Sequence, residues 1–106
     1  MTESIVQIRP TLDEILNNLK SYMPELRERY GVVSMGVFGS FIRCEETLDS
    51  DLDILVEFDD RPLTLLQFIG LENELSDRLA VKVDLVEKHT LKPAIGRHIL
   101  REVRML

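Results

Sequence analysis

The sequence predicts an α/β fold, with one small β-sheet of three to four strands flanked by helices. Three segments carry apolar residues at helical spacing, and short apolar runs rich in β-prone residues lie between them. The 106 residues suit one hydrophobic core, so a single domain over residues 1–106 is expected. The predicted order, α-β-(α)-β-α-β-α, favours a sheet with helices packed on it.

A helix is predicted over residues 11–29, and a strand over Val32–Phe38. Thr11 and Glu14 have the spacing of a capping box, in which a hydroxyl and a carboxylate cap the first turn. Gly31 is suited to end this helix, since glycine tolerates the left-handed backbone of a helix terminus. The apolar face of the helix consists of Leu12, Ile15, Leu16, Leu19, Met23, Leu26 and Tyr30.

The second half of the chain continues the alternation. Residues 40–50 are polar and mixed in character, and they predict a short helix or turn followed by a loop. Strands are then predicted over 51–58 and 81–86, and helices over 63–80 and 91–104. Alternation along the first of these strands places one set of residues (Leu52, Ile54, Val56, Phe58) on one face and the other (Asp51, Asp53, Leu55, Glu57) on the opposite face.

Composition and charge restrict the function classes. Hydrophobic residues make up 44% and charged residues 30%, as in ordinary globular domains. The net charge of -6 argues against direct nucleic acid binding, and no apolar run approaches the roughly 20 residues of a membrane helix. The single cysteine, Cys44, fits a reducing compartment, so a cytoplasmic location without membrane association is expected. Residues 88–106 hold five positive charges and one negative, a net of +4, which leaves -10 on residues 1–87.

Acidic residues within apolar strands form the first candidate site. Asp51 and Asp53 are two residues apart, so the pleat places both carboxylates on one face, about 6 to 7 Å apart. Such neighbours repel unless a cation lies between them, and Mg²⁺ favours carboxylate and phosphate oxygens. Asp84 stands alone in the next predicted strand and reaches the same face if the two strands are neighbours. Three carboxylates at one sheet edge suit a two-metal phosphoryl-transfer site.

Gly39 and Ser40 form the second candidate site, with ten residues between Ser40 and Asp51. Glycine permits close backbone approach, and the following amides and the Ser40 hydroxyl are suited to receive a phosphate. The sequence therefore predicts a phosphate cradle opposite the carboxylates.

Other interpretations of these residues stay open at this point. Taken singly, each acid could be a loop end, an edge residue or a solvent-facing group. Arg43 could lie beside a bound triphosphate if residues 40–43 form a helical turn, or it could pair with a nearby acid, namely Glu45, Glu46 or Asp49. Cys44 has no histidine nearby to activate it as a nucleophile, and neither G-x-G-x-x-G nor a P-loop occurs.

The spacing of these motifs resembles a known superfamily. Gly39-Ser40, ten residues, Asp51-Leu52-Asp53 and a later-strand Asp84 resemble the polymerase β-type nucleotidyltransferases. More narrowly, residues 39–43 (GSFIR) and 49–56 (DSDLDILV) resemble the minimal nucleotidyltransferases (MNT), which occur as antitoxins beside HEPN-domain toxins. The resemblance covers about residues 11–105. Ile42 and Cys44 depart from it, because the family often has a small residue and a glycine at these positions.

The resemblance implies a polymerase β palm-like fold with a mixed sheet, and an ATP- and Mg²⁺-dependent enzyme, with two Mg²⁺ ions expected. Metal ligation is carried over to Asp51 and Asp53, which match the motif directly. Asp84 is carried over as a third ligand or a general base, Gly39 and Ser40 as triphosphate-binding residues, and Arg43 as a phosphate or structural contact.

The resemblance further implies an antitoxin that transfers AMP from ATP to a tyrosine hydroxyl of a partner HEPN ribonuclease. A chain this short leaves no room for an acceptor-binding domain, so a partner that presents its own hydroxyl is expected. Two alternatives remain: an antitoxin that neutralises by complex formation alone, and a nucleotidyltransferase for a small molecule such as an aminoglycoside. The acidic balance weakens a third, transfer to RNA.

Overall fold

A computed structural model describes residues 10–106 and contains a four-stranded sheet flanked by helices. The prediction of one domain over 1–106 includes residues 1–9, which lie outside the described residues. The elements in chain order are α1 (Leu12–Tyr30), β1 (Val32–Phe38), α2 (Ser40–Arg43), β2 (Leu52–Phe58), α3 (Leu65–Leu79), β3 (Val83–Glu87), a 3₁₀ turn (Lys88–Thr90), α4 (Pro93–Glu102) and β4 (Arg104–Met105).

The ends of α1 follow from local chemistry, as predicted. The Thr11 hydroxyl accepts a hydrogen bond from the Glu14 amide at 3.2 Å, and the Glu14 carboxylate accepts one from the Thr11 amide at 2.8 Å. Gly31 follows the helix with a φ of 78°, which an L-residue with a side chain rarely adopts. The helix therefore ends where β1 must begin, and β1 spans the predicted residues.

The sheet is mixed, with strand order β3-β2-β1-β4. β1 pairs antiparallel with β2 and with β4, whereas β2 and β3 are parallel. The predicted small mixed sheet of three to four strands is thus confirmed, with four strands. The start of β2 therefore lies beside the start of β3 and the end of β1.

In the second half of the chain, several predicted ends of strands and helices were wrong by one or a few residues. β2 begins at Leu52, and β3 spans Val83–Glu87 where 81–86 was predicted. The helix predicted over 63–80 begins after Thr64, which forms a second capping box with Gln67. The helix predicted over 91–104 ends at Glu102, because the chain turns at Val103 to pair β4 with β1.

The two faces of the sheet are packed differently. One face, with α1 and α3, holds the main core, including Ile54 and Val56 as the alternation predicted. The opposite face holds a small cluster in which Leu55 and Phe38 of the sheet pack against Ile99 of α4. The alternation predicted that Asp53 lies on the same face as Leu55. Because Leu55 packs against α4, this helix covers the part of the sheet next to Asp53.

Among residues 10–106, no helix has the length and apolar character needed to cross a membrane.

Candidate functional site

The predicted carboxylates lie on neighbouring strands. Asp53 of β2 and Asp84 of β3 are register partners in the parallel pair, so their side chains share one face of the sheet. Asp51 lies immediately before β2, two residues from Asp53. The condition set by the sequence, that the second and third predicted strands be neighbours, is met. The structure therefore brings Asp51, Asp53 and Asp84 to one end of the sheet.

The pKa values of Asp53 and Asp84 are raised by burial first and by the predicted repulsion between acids second. Burial, followed by the negative charges of Asp84 and Asp51, raises the pKa of Asp53 to about 6, against an opposing effect of Arg43. Burial also raises the pKa of Asp84, with further contributions from Glu72 and Asp51. Both carboxylates thus favour a nearby positive charge, since a cation would offset the repulsion.

The donor set fits a magnesium ion that is also held by its substrate. Within residues 10–106, no three Asp, Glu, His or Cys side chains are grouped so as to hold a metal ion by themselves. Mg²⁺ is commonly held by one or two carboxylates, with substrate phosphates and water completing its oxygen shell. Half-buried Asp53 and its neighbour Asp51 fit that pattern better than a closed protein cage.

The Gly39–Ser40 turn lies directly against Asp53. Phe38, the last residue of β1, is the register partner of Asp53, and Gly39 follows with a φ of 85°. A Cβ at Gly39 would overlap the Asp53 carboxylate. Only glycine therefore allows both the backbone conformation and this close approach.

Ser40 begins the short helix α2, which runs to Arg43. Buried Phe41 anchors this helix in the main core, and the Arg43 amide donates to the Gly39 carbonyl at 3.2 Å. Cys44 follows as an exposed residue with a φ of 58°, in the left-handed region. The helical turn predicted after the Gly-Ser pair is present, so Arg43 lies near the same turn.

Arg43 makes ion pairs on two sides. Its Nε donates to Glu45 at 2.9 Å, which is one of the three nearby partners considered from the sequence. Its Nη1 donates to both carboxylate oxygens of Glu102, at 2.9 and 3.0 Å. The sequence reasoning missed Glu102 because it lies 59 residues away. The sequence offered one indication of a special role for Glu102, since it is the only acid among the basic residues of segment 88–106.

Comparisons with known proteins agree with this geometry. The sequence profile of the family described as "Nucleotidyltransferase domain" matches residues 19–106. The chain is 52% identical over 93 residues to the protein adenylyltransferase MntA of Thermococcus cleftensis, covering 88% of this chain and 93% of that protein.

Solved structures show the same fold. A candidate minimal nucleotidyltransferase superposes with a TM-score of 0.73 at 39% identity, covering 88% of this chain and 94% of that one. A structure described as the tri-AMPylated HEPN toxin of Shewanella oneidensis in complex with MNT antitoxin matches with a TM-score of 0.62. At 20% identity over 86% of this chain and 70% of that one, the second match supports the fold alone.

Proposed function

The chain belongs to the nucleotidyltransferase domain family, and from this premise we propose that it is a protein adenylyltransferase acting as the antitoxin of a HEPN ribonuclease toxin. The resemblance to the minimal nucleotidyltransferases and the expectation of a nucleotidyltransferase enzyme are both confirmed. The proposal goes further: AMP is transferred from ATP to a tyrosine hydroxyl of the toxin. We place the reaction in the cytoplasm, where ATP is available and Cys44 stays reduced.

One observation carries this proposal: the Gly39–Ser40 turn packs against a carboxylate that shares a sheet face with a second one. We assign Asp51 and Asp53 as ligands of Mg²⁺, and Asp84 as a third ligand or as the general base. When bound, Mg²⁺ would offset negative charge on the triphosphate and on the leaving pyrophosphate. Gly39 and Ser40 receive the triphosphate in this assignment, and Arg43 stabilises the turn.

The chain's own residues then have distinct tasks. The turn and the carboxylates orient the α-phosphorus so that the tyrosine oxygen attacks in line with the bond to the β-phosphate. A bond forms between the tyrosine oxygen and the α-phosphorus. The bond between the α-phosphorus and the oxygen that bridges to the β-phosphate breaks, and pyrophosphate leaves. If Asp84 is the base, its raised pKa helps it to take the tyrosine proton.

Label transfer tests the proposal. The chain would be incubated with Mg²⁺, ATP labelled at the α-phosphate and the HEPN protein encoded beside it. We expect label on the partner, and a loss of more than about a hundredfold in rate for Asp51→Asn and Asp53→Asn, because each removes a charged metal ligand. Asp60→Asn is the matched control, since Asp60 is an exposed acid in the turn after β2, at the opposite end of that strand.

Three outcomes would contradict the proposal. Absence of label on the partner would show that the chain does not adenylylate this protein. Unchanged protection of toxin-expressing cells by the Asp51 and Asp53 variants would indicate neutralisation by binding alone. Labelling of an aminoglycoside without any protein partner would favour a small-molecule acceptor.

A further inference from the structure

The carboxylate of Glu102 joins both ends of the short helix that follows the Gly-Ser turn. Its Oε2 accepts a hydrogen bond from the Gly39 amide at 2.7 Å, and both its oxygens accept from Nη1 of Arg43. Gly39 precedes α2 and Arg43 ends it. The Glu102 side chain is only 16% exposed, against 64% for Glu45, the other partner of Arg43. Glu102 is therefore the more enclosed of the two contacts that hold Arg43.

Gly39 is constrained from two sides. Its α-carbon lies against the Asp53 carboxylate, where a Cβ would overlap, and its amide donates to Glu102. No side chain caps α2 at Gly39, and the hydrogen bond from the Gly39 amide to Glu102 ties the residue before this helix to the end of α4. The Glu102 bond and the close approach to Asp53 thus hold Gly39 from two other segments of the chain.

Packing and strand pairing hold Glu102 in place. Ile99, one helical turn earlier in α4, packs on Phe38 and Leu55 of the sheet. The Val103 amide donates to the Ile99 carbonyl at 2.9 Å, and β4 then pairs with β1. The end of α4 is thus fixed on both sides of Glu102.

We propose that Glu102 is a positioning residue for nucleotidyl transfer, which holds the Gly39–Ser40 turn and Arg43 in the arrangement that receives the nucleotide triphosphate. The inference rests on the proposed function in one respect, namely that this turn binds the triphosphate. It adds a residue that sequence spacing did not indicate, and it gives α4 and β4 a role in the site. If Glu102 instead occupied the place of a phosphate, its removal would strengthen nucleotide binding, which is the opposite effect.

Binding of a fluorescent ATP derivative, mant-ATP, in the presence of Mg²⁺ tests the inference without any acceptor. We expect Glu102→Ala to raise the dissociation constant about tenfold or more, as for the loss of hydrogen bonds to a charged group. Glu102→Gln should have a smaller effect, because its carbonyl oxygen can still accept from the Gly39 amide while its NH₂ group cannot accept from Arg43. This near-isosteric variant keeps the test available if Glu102→Ala does not fold.

The matched control is Glu74→Gln. Glu74 is another poorly exposed carboxylate, at 21%, and it accepts hydrogen bonds from Arg29 and the Tyr30 hydroxyl between α1 and α3. Its loss should leave the affinity for mant-ATP unchanged, even if the melting temperature falls. A similar loss of affinity in both variants would indicate general destabilisation and would overturn the inference.

Two further measurements separate positioning from a purely structural role. The amide signal of Gly39, one of five glycines, should move upfield in ¹H NMR in Glu102→Ala, because its hydrogen bond to a carboxylate is lost. In label transfer to the partner, Glu102→Gln should lower kcat by a larger factor than it raises KM if the turn aligns the reacting phosphate.

The outcomes distinguish this inference from the proposed function. Unchanged or tighter nucleotide binding by folded Glu102→Ala would overturn the inference alone. Weakened binding with no label on any protein acceptor would support the inference and contradict the proposed function. No mant-ATP binding by the wild-type chain would overturn both.

Discussion

At the scale of single residues, the site combines two acids that are close in sequence, Asp51 and Asp53, with two that are far away, Asp84 and Glu102. Asp51 and Asp53 were predicted together, because a two-residue spacing in a strand fixes a common face. Asp84 could be added only on the condition that its strand pairs with theirs, and the parallel β2–β3 register meets that condition. Glu102 could not be predicted, since no local pattern links it to Gly39.

Asp53 should make the stability of the chain depend on pH. Its pKa is about 6 in the folded chain and near 3.8 when unfolded, so the folded state holds the proton more tightly. The stability that the folded state gains from this tighter proton binding is present below about pH 4 and is lost as the pH rises through about 6. Asp53→Asn cannot ionise, so its melting temperature should exceed that of the wild type increasingly between pH 4 and 7, when both are measured in EDTA.

The expected gain at pH 7 is about 1 kcal/mol, after allowing for screening by water at this half-exposed carboxylate, or about 4–8 °C. Asp60→Asn controls for the loss of one carboxylate at an exposed position. Mg²⁺ should raise the melting temperature of the wild type more than that of Asp53→Asn. A melting difference that does not change with pH would contradict the prediction.

At the scale of elements, local signals located the helices and strands better than their ends. The capping boxes at Thr11 and Thr64 fix the two long helices, although only the first was recognised in advance. The end of α2 is unusual, because Cys44 adopts a left-handed backbone. Its φ of 58° lies in the region that glycine adopts without strain, which fits the glycine that the resemblance to the minimal nucleotidyltransferases implies at this position.

Replacing left-handed residues with glycine should stabilise the chain. Cys44 ends α2, and Ala80 ends α3 with a φ of 57°. A non-glycine residue in this region costs about 1–2 kcal/mol, part of which the greater flexibility of unfolded glycine cancels. We expect Cys44→Gly and Ala80→Gly each to raise the free energy of unfolding by about 0.5 to 1 kcal/mol in urea denaturation.

Comparing the two variants separates a local backbone effect from an effect on the site. Ala80→Gly relieves the same strain at the end of α3 and serves as the reference for Cys44→Gly, which lies next to Arg43. A fall in stability for either variant would show that its side chain makes contacts worth more than the backbone strain.

At the scale of the whole molecule, the end of the chain completes the sheet beside the site. β4 pairs with β1, and the Leu106 amide donates to the Met35 carbonyl at 3.0 Å while its side chain packs on the main core. These contacts hold the end of α4, and so Glu102, against the Gly-Ser turn. Fold stability and nucleotide binding should therefore be coupled through these last residues.

Deleting residues 104–106 should lower stability and nucleotide affinity together. The loss of strand pairing and of a partly buried leucine should reduce the free energy of unfolding by about 2 kcal/mol. The affinity for mant-ATP should fall at least as far as in Glu102→Ala, because the end of α4 is no longer fixed. Urea denaturation and fluorescence titration would measure the two effects.

Arg104→Ala is the control for this deletion, since the exposed Arg104 side chain is removed while the backbone pairing of β4 remains. Its stability should change by less than about 0.5 kcal/mol. Full nucleotide affinity in the truncated chain would contradict the proposed coupling.

The sequence by itself determined the α/β class, the segments that form the two long helices and the first three strands, and the acids that alternate out of the core. These features depend on interactions between residues a few positions apart, namely apolar periodicity, helix capping and the pleat. The tertiary structure decided the strand order, the fourth strand and the contact of Glu102 with Gly39 and Arg43. Those depend on hydrogen bonds between segments 15 to 69 residues apart, which leave no periodic signal in the chain.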